Sequence, residues 1–421
     1  MRPGGRLRIW IRQLTMLSLL MLATAAWAGS KFKVLYDFKG GNDGIDPQGN
    51  LVFDTAGNLY GTTTEGGGTS ACNGRYKGCG IVFQLLPQTR GPWKENILYS
   101  FPNGASEGVG LNGNLVLDVA GNVYGTAFYD GAGFAGTVFE LTPGSGGWTE
   151  KIIYSFCQSG CGDGESPGSG VIFDDSGNLY GTTTQGGTDG GGVIFKLAPG
   201  NGTWSESVLY NFCPYHTCSG GWLPVGLIRD ASGNLFGVTA WGGNYFWPCT
   251  PGVGCGAVFE LSPSSSGWNY SVLHRFTGRD GAFANSGVIQ DKQGNVYGTT
   301  TADGAFGCGT VFELAPKSEG GWRYSVLYNL RGPSAGSLLL DAGGNLYGAT
   351  TGLAAGSCQN ETQAEIFKLS PSKHGHWKYS NLHTLSGSAS SGLIFDKSGH
   401  LYGTAATGGT DGLGFVFELT P

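Results

Sequence analysis

The strongest constraint on this chain is a short string that returns seven times along it. The string Gly-Asn-Leu-Tyr-Gly-Thr-Thr (57–63) recurs almost unchanged, at spacings of 50–64 residues. The central aromatic residues of the seven copies are Tyr60, Tyr124, Tyr180, Phe236, Tyr297, Tyr347 and Tyr402. Repeats of this length predict an array of equivalent supersecondary units.

Each copy contains four strand-like pieces, exemplified by 392–396, 401–404, 416–419 and 208–212. An Asp-x-x-Gly-Asn turn separates the first two, because Asp can bond its own backbone there and Gly can take a positive φ. Four strands per unit are typical of a propeller blade, whereas solenoid repeats are shorter, about 20–45 residues. We therefore predict an all-β, seven-bladed β-propeller of four-stranded blades.

The two ends of the repeat array complement each other. A lone fourth-strand piece stands at 34–38, and the chain stops at Pro421 directly after a third-strand piece. The last blade, 392–421, thus lacks its outer strand. We predict that the N-terminal strand joins this blade and closes the ring.

The first 28 residues have the pattern of a signal peptide. Four arginines precede an apolar run at 14–25, and Ala26-Trp27-Ala28 is a small-x-small cleavage site. We predict a signal peptide over 1–28 and a single propeller over 29–421, exported to the periplasm, the cell surface or the medium. No later stretch has about 18 apolar residues, so no membrane span is expected in the mature chain.

Charge excludes one class of partner. The chain has 24 basic and 30 acidic residues, and four of the basic residues lie in the predicted leader. Nucleic-acid binding needs a basic surface, which this composition does not supply. We expect a monomer that binds no nucleic acid, cofactor or metal.

Several recurring side chains are interpreted as structural. An Asp that stands in the same turn of all seven copies is a turn former rather than a catalyst, and the Trp that begins most fourth strands is a packing residue. His274 and His383 replace the usual Tyr of that strand and are expected to pack in its place.

The repeat unit resembles a known family. Gly-Asn-Leu-Tyr-Gly-Thr-Thr followed by Gly-Thr-Val-Phe-Glu-Leu is similar to the Gloeo/Verruco (GloVer) tandem repeat of bacterial exported proteins, over nearly all of 33–421. The resemblance implies export. It implies no activity and no catalytic residues.

Antiparallel blades place their connections alternately on two faces, and one face receives all the long loops. Loops on a rigid scaffold are where binding sites usually lie. All ten cysteines fall in these loops, and in an exported chain they favour disulfides, although sequence alone does not fix their pairing. Four of the candidate pairs are local staples, and Cys308 and Cys358 are placed to bridge neighbouring blades. The candidates are Cys72 with Cys79, Cys157 with Cys161, Cys213 with Cys218, Cys249 with Cys255, and Cys308 with Cys358. A metal site at 213–218 is the rival interpretation, but its spacing matches no standard zinc pattern.

Aromatic residues are concentrated in the fourth copy. Such residues suit stacking on sugar rings or a protein hot spot, and packing beneath the Cys249–Cys255 staple is the alternative. The candidate binding residues are Tyr215, Trp222, Trp241, Tyr245, Phe246 and Trp247. A weaker cluster comprises Phe128, Tyr129 and Phe134.

These features favour a binding or scaffold module for a polysaccharide or an extracellular protein. No linear catalytic motif is present, so no catalytic residue is predicted. The first alternative is a secreted carbohydrate- or lactone-active hydrolase or lyase, with acids gathered around the propeller channel from different blades. The second alternative is an envelope protein without a discrete ligand.

Overall fold

The protein is a ring of seven antiparallel four-stranded sheets, as the sequence predicts. The computed structural model describes residues 30–68, 71–72, 76–102, 110–111, 113–129, 131, 134–212, 219–246, 249, 253–352, 358, 363–372 and 375–421, with the backbone alone at 71–72 and 76–77. The predicted signal peptide therefore lies outside the described residues. Within them the only helix is a single 3-10 turn, Cys161–Asp163.

The strands follow the chain blade by blade. The ring-closing strand is β1 (Lys31–Asp37). Blade 1 comprises β2 (Gly44–Phe53), β3 (Leu59–Gly66), β6 (Ile81–Leu86) and β7 (Lys94–Ser100), and a small hairpin of β4 (Ala71–Cys72) and β5 (Tyr76–Lys77) lies between β3 and β6 in sequence. Blade 2 comprises β8 (Val116–Leu117), β9 (Val123–Ala127), β10 (Thr137–Gly144) and β11 (Gly147–Ser155). Blades 3 to 5 comprise β12 (Ile172–Phe173), β13 (Leu179–Thr182), β14 (Val193–Pro199), β15 (Trp204–Asn211), β16 (Trp222–Arg229), β17 (Leu235–Trp241), β18 (Ala257–Ser264), β19 (Gly267–Arg275), β20 (Ile289–Gln290), β21 (Val296–Thr299), β22 (Thr310–Pro316) and β23 (Trp322–Asn329). Blades 6 and 7 comprise β24 (Leu339–Leu340), β25 (Leu346–Ala349), β26 (Glu365–Pro371), β27 (Trp377–Thr384), β28 (Ile394–Phe395), β29 (Leu401–Ala405) and β30 (Phe415–Thr420).

The N-terminal strand closes the ring. β1 pairs antiparallel with β30, from Lys31 opposite Thr420 to Asp37 opposite Phe415, and it completes the sheet β28-β29-β30-β1. Closure in this way leaves the last blade without an unpaired outer edge on β30. The prediction of ring closure is confirmed.

The core lies between blades and is built largely from aromatic rings. The Phe that ends one outer strand meets the Phe of the next blade's third strand edge-on, with ring centroids 5.2 Å apart for Phe38 and Phe83 and 5.3 Å apart for Phe101 and Phe139. The Gly after the repeat aromatic makes room for the Phe ring of the third strand in the same blade. A Cβ on Gly61, for example, would lie 2.5 Å from Phe83 Cζ. The repeat string thus encodes the spacing between blades.

The Asp-x-x-Gly-Asn turn is a closed hydrogen-bond unit. The backbone N–H groups of Ala56 and Asn58 donate to Asp54 Oδ1, each at 2.9 Å, and the Asn58 side chain and the Tyr60 hydroxyl donate to Asp54 Oδ2. Burial raises the pKa of the Asp54 carboxyl, but these hydrogen bonds outweigh it and hold the pKa below its usual value. The turn Asp is structural, as predicted.

Candidate functional site

The two faces of the ring differ in their connections. The turns between first and second strands and between third and fourth strands are short, and together they form the short-turn face. The other connections are longer and form what we call the long-loop face. Every cysteine whose side chain is described lies on the long-loop face, which makes this face the candidate for a binding site.

Three of the predicted disulfides lie within the described residues. Cys157 is bonded to Cys161 and Cys249 to Cys255, while Cys308 joins Cys358 across blades 5 and 6. Cys79 is also in a disulfide. The side chain of Cys72 and the pair Cys213 and Cys218 lie outside the described residues. The structure therefore supports covalently pinned long loops in blades 2, 4, 5 and 6.

One group of potential metal ligands occurs in the part of the chain that is described. The ligand atoms of Cys157, Cys161 and Glu165 all lie within 4.8 Å of one another. In the oxidised protein both sulfurs are bonded to each other, and a disulfide sulfur is not a thiolate ligand.

The aromatic cluster of blade 4 divides into a buried and an exposed part. Trp222 is 1% exposed and packs edge-on against Trp241, with ring centroids 4.5 Å apart. Trp222 therefore offers no ring face to a ligand, which corrects its place among the binding candidates: the ring is buried where it packs against Trp241. Trp241 and Tyr245 are half-buried, and Phe246 is 81% exposed. Tyr215 and Trp247 lie outside the described residues.

Exposed aromatic rings also occur at the tips of other long loops. Tyr129 and Phe134 of blade 2 and Phe306 of blade 5 are exposed, and the Arg331 guanidinium lies 4.9 Å from the Phe306 ring centroid. All three stand in connections between second and third strands, as Phe246 does. Sequence reasoning missed Phe306, because a single aromatic in a Gly-rich loop forms no cluster; its signal was the position at the loop tip.

The central channel has a neutral lining. Its volume is about 450 Å³, and all seven innermost segments contribute to it. Two kinds of residue line the channel at different depths. The residues two positions before the turn Asp are aliphatic, and the residues four positions before it are small or carry an amide. The second set forms a ring of Asn50, Asn114, Gly170, Gly226, Gly287, Ser337 and Gly392. Within it, the Asn50 N–H donates to Asn114 Oδ1 at 2.8 Å, and the Gly392 N–H donates to Asn50 Oδ1 at 2.7 Å.

No acidic or basic side chain lines this channel among the described residues. The hydrolase alternative would draw on the acids of the long loops, which are Asp43, Asp46, Glu65, Glu107, Asp130, Asp163, Glu165, Asp189, Asp280, Asp303 and Asp411. Glu107 and Asp130 lie outside the described residues, and none of the other nine lines the channel.

Some of these acids are found instead at the seams, where the outer strands of neighbouring blades meet. Between blades 7 and 1, the Tyr36 hydroxyl lies 2.9 Å from Glu95 Oε2 and 3.1 Å from Asp43 Oδ2. Burial and the nearby Asp43 carboxylate raise the pKa of Glu95 to about 8. Burial beside the same two acids raises the pKa of Tyr36 as well. Glu95 Oε1 is buried without a hydrogen-bond partner.

The seam between blades 2 and 3 repeats this arrangement. The Tyr154 hydroxyl donates to Asp163 Oδ2 at 2.7 Å, and burial followed by the charge of Asp163 raises the pKa of Glu206 to about 7. Glu206 Oε1 is also buried without a partner. Tyr99 and Glu150 occupy the equivalent positions between blades 1 and 2. We call these three the carboxyl seams.

The other four seams hold stacked rings at the same two positions. Their ring centroids lie 3.7–4.7 Å apart and their planes within 13° of parallel. The pairs are Tyr210 with Tyr270, His274 with Tyr324, Tyr328 with Tyr379, and His383 with Phe32. His274 and His383 are packing residues here, as predicted. We call these four the stacked seams.

The sequence contained a signal for this division. The residue two positions after the Trp of the outer strand is Glu in the first three copies and Tyr in the next three. Phe32 holds the corresponding position in β1, opposite Leu419.

In the portion of the chain with described structure, no helix is long and apolar enough to cross a membrane.

Residues 68–247 and 250–421 match the family model of the Gloeobacter/Verrucomicrobia repeat. No curated protein matches the sequence. Among solved structures the chain is similar to a luciferin-regenerating enzyme, at 15% identity and a TM-score of 0.45, over 73% of this chain and 91% of that one. It is similar to a gluconolactonase from Xanthomonas campestris at 13% identity and a TM-score of 0.43, over 93% of this chain and 89% of that one. It is also similar to a protein from Lactobacillus plantarum at 14% identity and a TM-score of 0.49, over 80% of this chain and 84% of that one. Likeness at this level carries no argument about chemistry.

Proposed function

This chain belongs to the Gloeobacter/Verrucomicrobia repeat family, and from its geometry we propose that it is an exported binding module whose long-loop face holds a polysaccharide. An extracellular protein is the other partner that such a face suits. The observation that carries the proposal is the exposed Phe246 ring, which stands on a loop pinned by a disulfide.

The loop around Phe246 is held before any ligand arrives. The Phe246 N–H donates to Asn244 Oδ1 at 3.1 Å, and the Phe246 carbonyl accepts from the Cys249 N–H at 3.0 Å. Cys249 is itself bonded to Cys255. A loop whose backbone is held in this way loses little conformational entropy on binding, and an exposed aromatic face stacks well on the apolar face of a sugar.

Export fits the same features. Disulfides persist in oxidising compartments, and the basic and apolar start of the chain has the pattern of a cleaved leader. We place the protein outside the inner membrane, in the periplasm, at the cell surface or in the medium.

One observation favours a second candidate, a secreted carbohydrate- or lactone-active hydrolase. The Asp163 and Glu206 carboxyls form a pair in which Glu206 has its pKa raised to about 7, a value suited to a general acid, and Asp163 borders a surface cavity of about 510 Å³. Loss of sugar-lactone or glycan hydrolysis in a folded Glu206→Gln variant would support it. If the wild type hydrolyses none of these substrates, the hydrolase candidate is rejected.

The binding proposal is tested by pull-down on a panel of insoluble polysaccharides. Phe246→Ala with Phe134→Ala removes two exposed rings from the long-loop face. Val119→Ala is the matched control, because Val119 is a fully exposed apolar residue in a short turn on the opposite face. We expect wild type and control to be retained and the double variant to be released. Equal retention of all three would contradict a role for these rings.

A further inference from the structure

The disulfides of this protein differ sharply in their access to solvent. Cys161 is exposed, whereas Cys249, Cys255, Cys308 and Cys358 are each 2% exposed or less. Thiol–disulfide exchange requires a thiolate to reach one sulfur of the bond, so access decides which disulfide reacts. Only Cys157–Cys161 meets this condition among the disulfides with both partners described.

The surroundings of this disulfide are acidic. Both oxygens of Asp163 accept from the Cys157 N–H at 3.2 Å, and the Glu165 carboxylate lies within 4.8 Å of both sulfurs. The charge of Asp163 also acts on Glu206. The Cys157 backbone is held at φ +59°, in the left-handed region. The loop borders a cavity of about 510 Å³ lined by Tyr154, Ser155 and residues 158–163.

We propose that Cys157–Cys161 is a thiol-exchange site, and that its reduced form binds a thiophilic divalent cation such as Zn²⁺ through Cys157, Cys161 and Glu165. This goes beyond the binding function proposed above and does not depend on it.

The exchange step balances with a dithiol as reductant. A thiolate of the dithiol attacks Cys161 Sγ, the Cys157–Cys161 bond breaks, and Cys157 leaves as a thiolate. The second thiol of the reagent then attacks the mixed disulfide, which releases Cys161 and leaves the reagent as a cyclic disulfide. Two electrons pass from the dithiol to the protein. The dithiol also releases two protons, which are taken up by the two cysteine thiolates or by solvent.

The reduced loop then has the donors of a zinc site. Zn²⁺ binds thiolates at about 2.3 Å and carboxylates at about 2.0–2.2 Å in a tetrahedron, so its ligand atoms stand about 3.5 Å apart. The three ligand atoms already lie within 4.8 Å of one another, and a small shift brings them into range. A divalent cation also neutralises two thiolates that would otherwise face the carboxylates of Glu165 and Asp163.

The first part of the test measures which disulfide is reduced. Native protein is treated with increasing dithiol, alkylated and digested for mass spectrometry. We expect Cys157 and Cys161 to be labelled at dithiol concentrations that leave Cys249–Cys255 and Cys308–Cys358 intact. Simultaneous labelling of all three pairs would overturn selective exchange.

The second part adds Cd²⁺ to the selectively reduced protein, because cadmium reports thiolate bonding by a charge-transfer absorption. We expect saturation at a single ion per chain, no signal in Cys161→Ser, and affinity lowered about tenfold or more in Glu165→Gln. Asp189→Asn is the matched control, since it removes an exposed charge from the neighbouring long loop and should leave affinity unchanged.

Circular dichroism of the double variant Cys157→Ser, Cys161→Ser measures whether the fold survives without this disulfide, and we expect a spectrum unchanged from that of the wild type. A folded, reduced protein that binds no Cd²⁺ would overturn the metal site. Unchanged affinity in Glu165→Gln, or an equal loss in Asp189→Asn, would overturn the role of Glu165.

Discussion

The carboxyl seams and the stacked seams solve the same packing problem with different chemistry. Both join a side chain near the end of one outer strand to a side chain near the start of the next. In the carboxyl seams a tyrosine hydroxyl meets acids whose burial is costly in the charged form. In the stacked seams two flat rings bury each other. Hence the seams between blades 7 and 1 and between blades 2 and 3 bury an acid whose pKa is raised to about 8 or about 7, whereas the two Tyr–Tyr stacked seams bury uncharged rings.

The largest effect is expected from deleting residues 29–40, which contain β1. This strand takes part in both kinds of seam, because Tyr36 meets Glu95 and Phe32 stacks on His383 with ring centroids 3.9 Å apart. It also covers β30. We expect loss of the cooperative unfolding transition, followed by circular dichroism during a urea titration. A stable, monomeric truncated protein would show that neither seam on β1 is needed.

A substantial but smaller loss is expected from Tyr324→Ala in a stacked seam. The Tyr324 ring stacks on His274 at 3.7 Å, and its hydroxyl donates to the Asp280 carbonyl at 2.8 Å. Removing a largely buried ring of this size costs about 3–4 kcal/mol of unfolding free energy. Urea denaturation measures it, with Tyr129→Ala as an exposed-ring control that should change stability by less than about 0.5 kcal/mol. Equal effects would mean that stacking contributes little.

A pH-dependent gain is expected from Glu95→Gln in a carboxyl seam. The usual pKa of 4.5 applies to Glu95 in the unfolded chain, while burial and Asp43 raise the folded pKa to about 8 and the Lys39 charge opposes this in part. The folded state therefore holds a proton that the unfolded state releases, and wild-type stability falls as pH rises from about 4.5 to about 8. Below that window the group is protonated in both states.

The variant lacks this ionisation, so its advantage should be absent near pH 4 and reach about 1–2 kcal/mol near pH 9. Urea midpoints across this range test the sign. Glu319→Gln in an exposed short turn controls for net charge. A variant less stable than wild type at pH 9 would contradict a buried proton on Glu95.

The smallest effect is expected from converting one kind of seam into the other. Glu206→Tyr places a ring opposite Tyr154, as Tyr270 stands opposite Tyr210 with centroids 4.1 Å apart. It also removes a buried oxygen that has no partner. We expect a gain of about 0.5–1 kcal/mol at pH 8 and a flatter pH profile. Loss of stability would show that the backbones of the two seam classes differ too much for exchange.

The fold could be predicted from the sequence because the contacts that shape each blade lie within a single repeat. Asp54 closes its turn with groups at most six residues away, and Gly61 makes room for a ring in the same blade. Ring closure could also be predicted, because the strand-like piece at 34–38 has no other strands of its own blade beside it in the sequence. Local chemistry repeated seven times is a strong predictor of local structure.

The candidate site was harder to predict from the sequence, because its properties depend on which residues from distant parts of the chain become neighbours. The sequence shows Trp222 among polar and aromatic loop residues, but only the packing against Trp241 decides that it is buried. The neutral channel follows from the register of seven inner strands. Glu95, Glu150 and Glu206 read as ordinary outer-strand residues until the facing strand of the next blade is known.

The antiparallel pairing of β1 with β30 also sets how the ring responds to mechanical load. Lys31 lies opposite Thr420, so the first residue of β1 and the last residue of β30 stand at the same end of the sheet. A force that pulls these ends apart acts across the strand pair and meets its hydrogen bonds one after another, rather than all together as in shear. A force applied between Lys31 and Thr420 is therefore expected to separate β1 from β30 one hydrogen bond after another, starting at this pair.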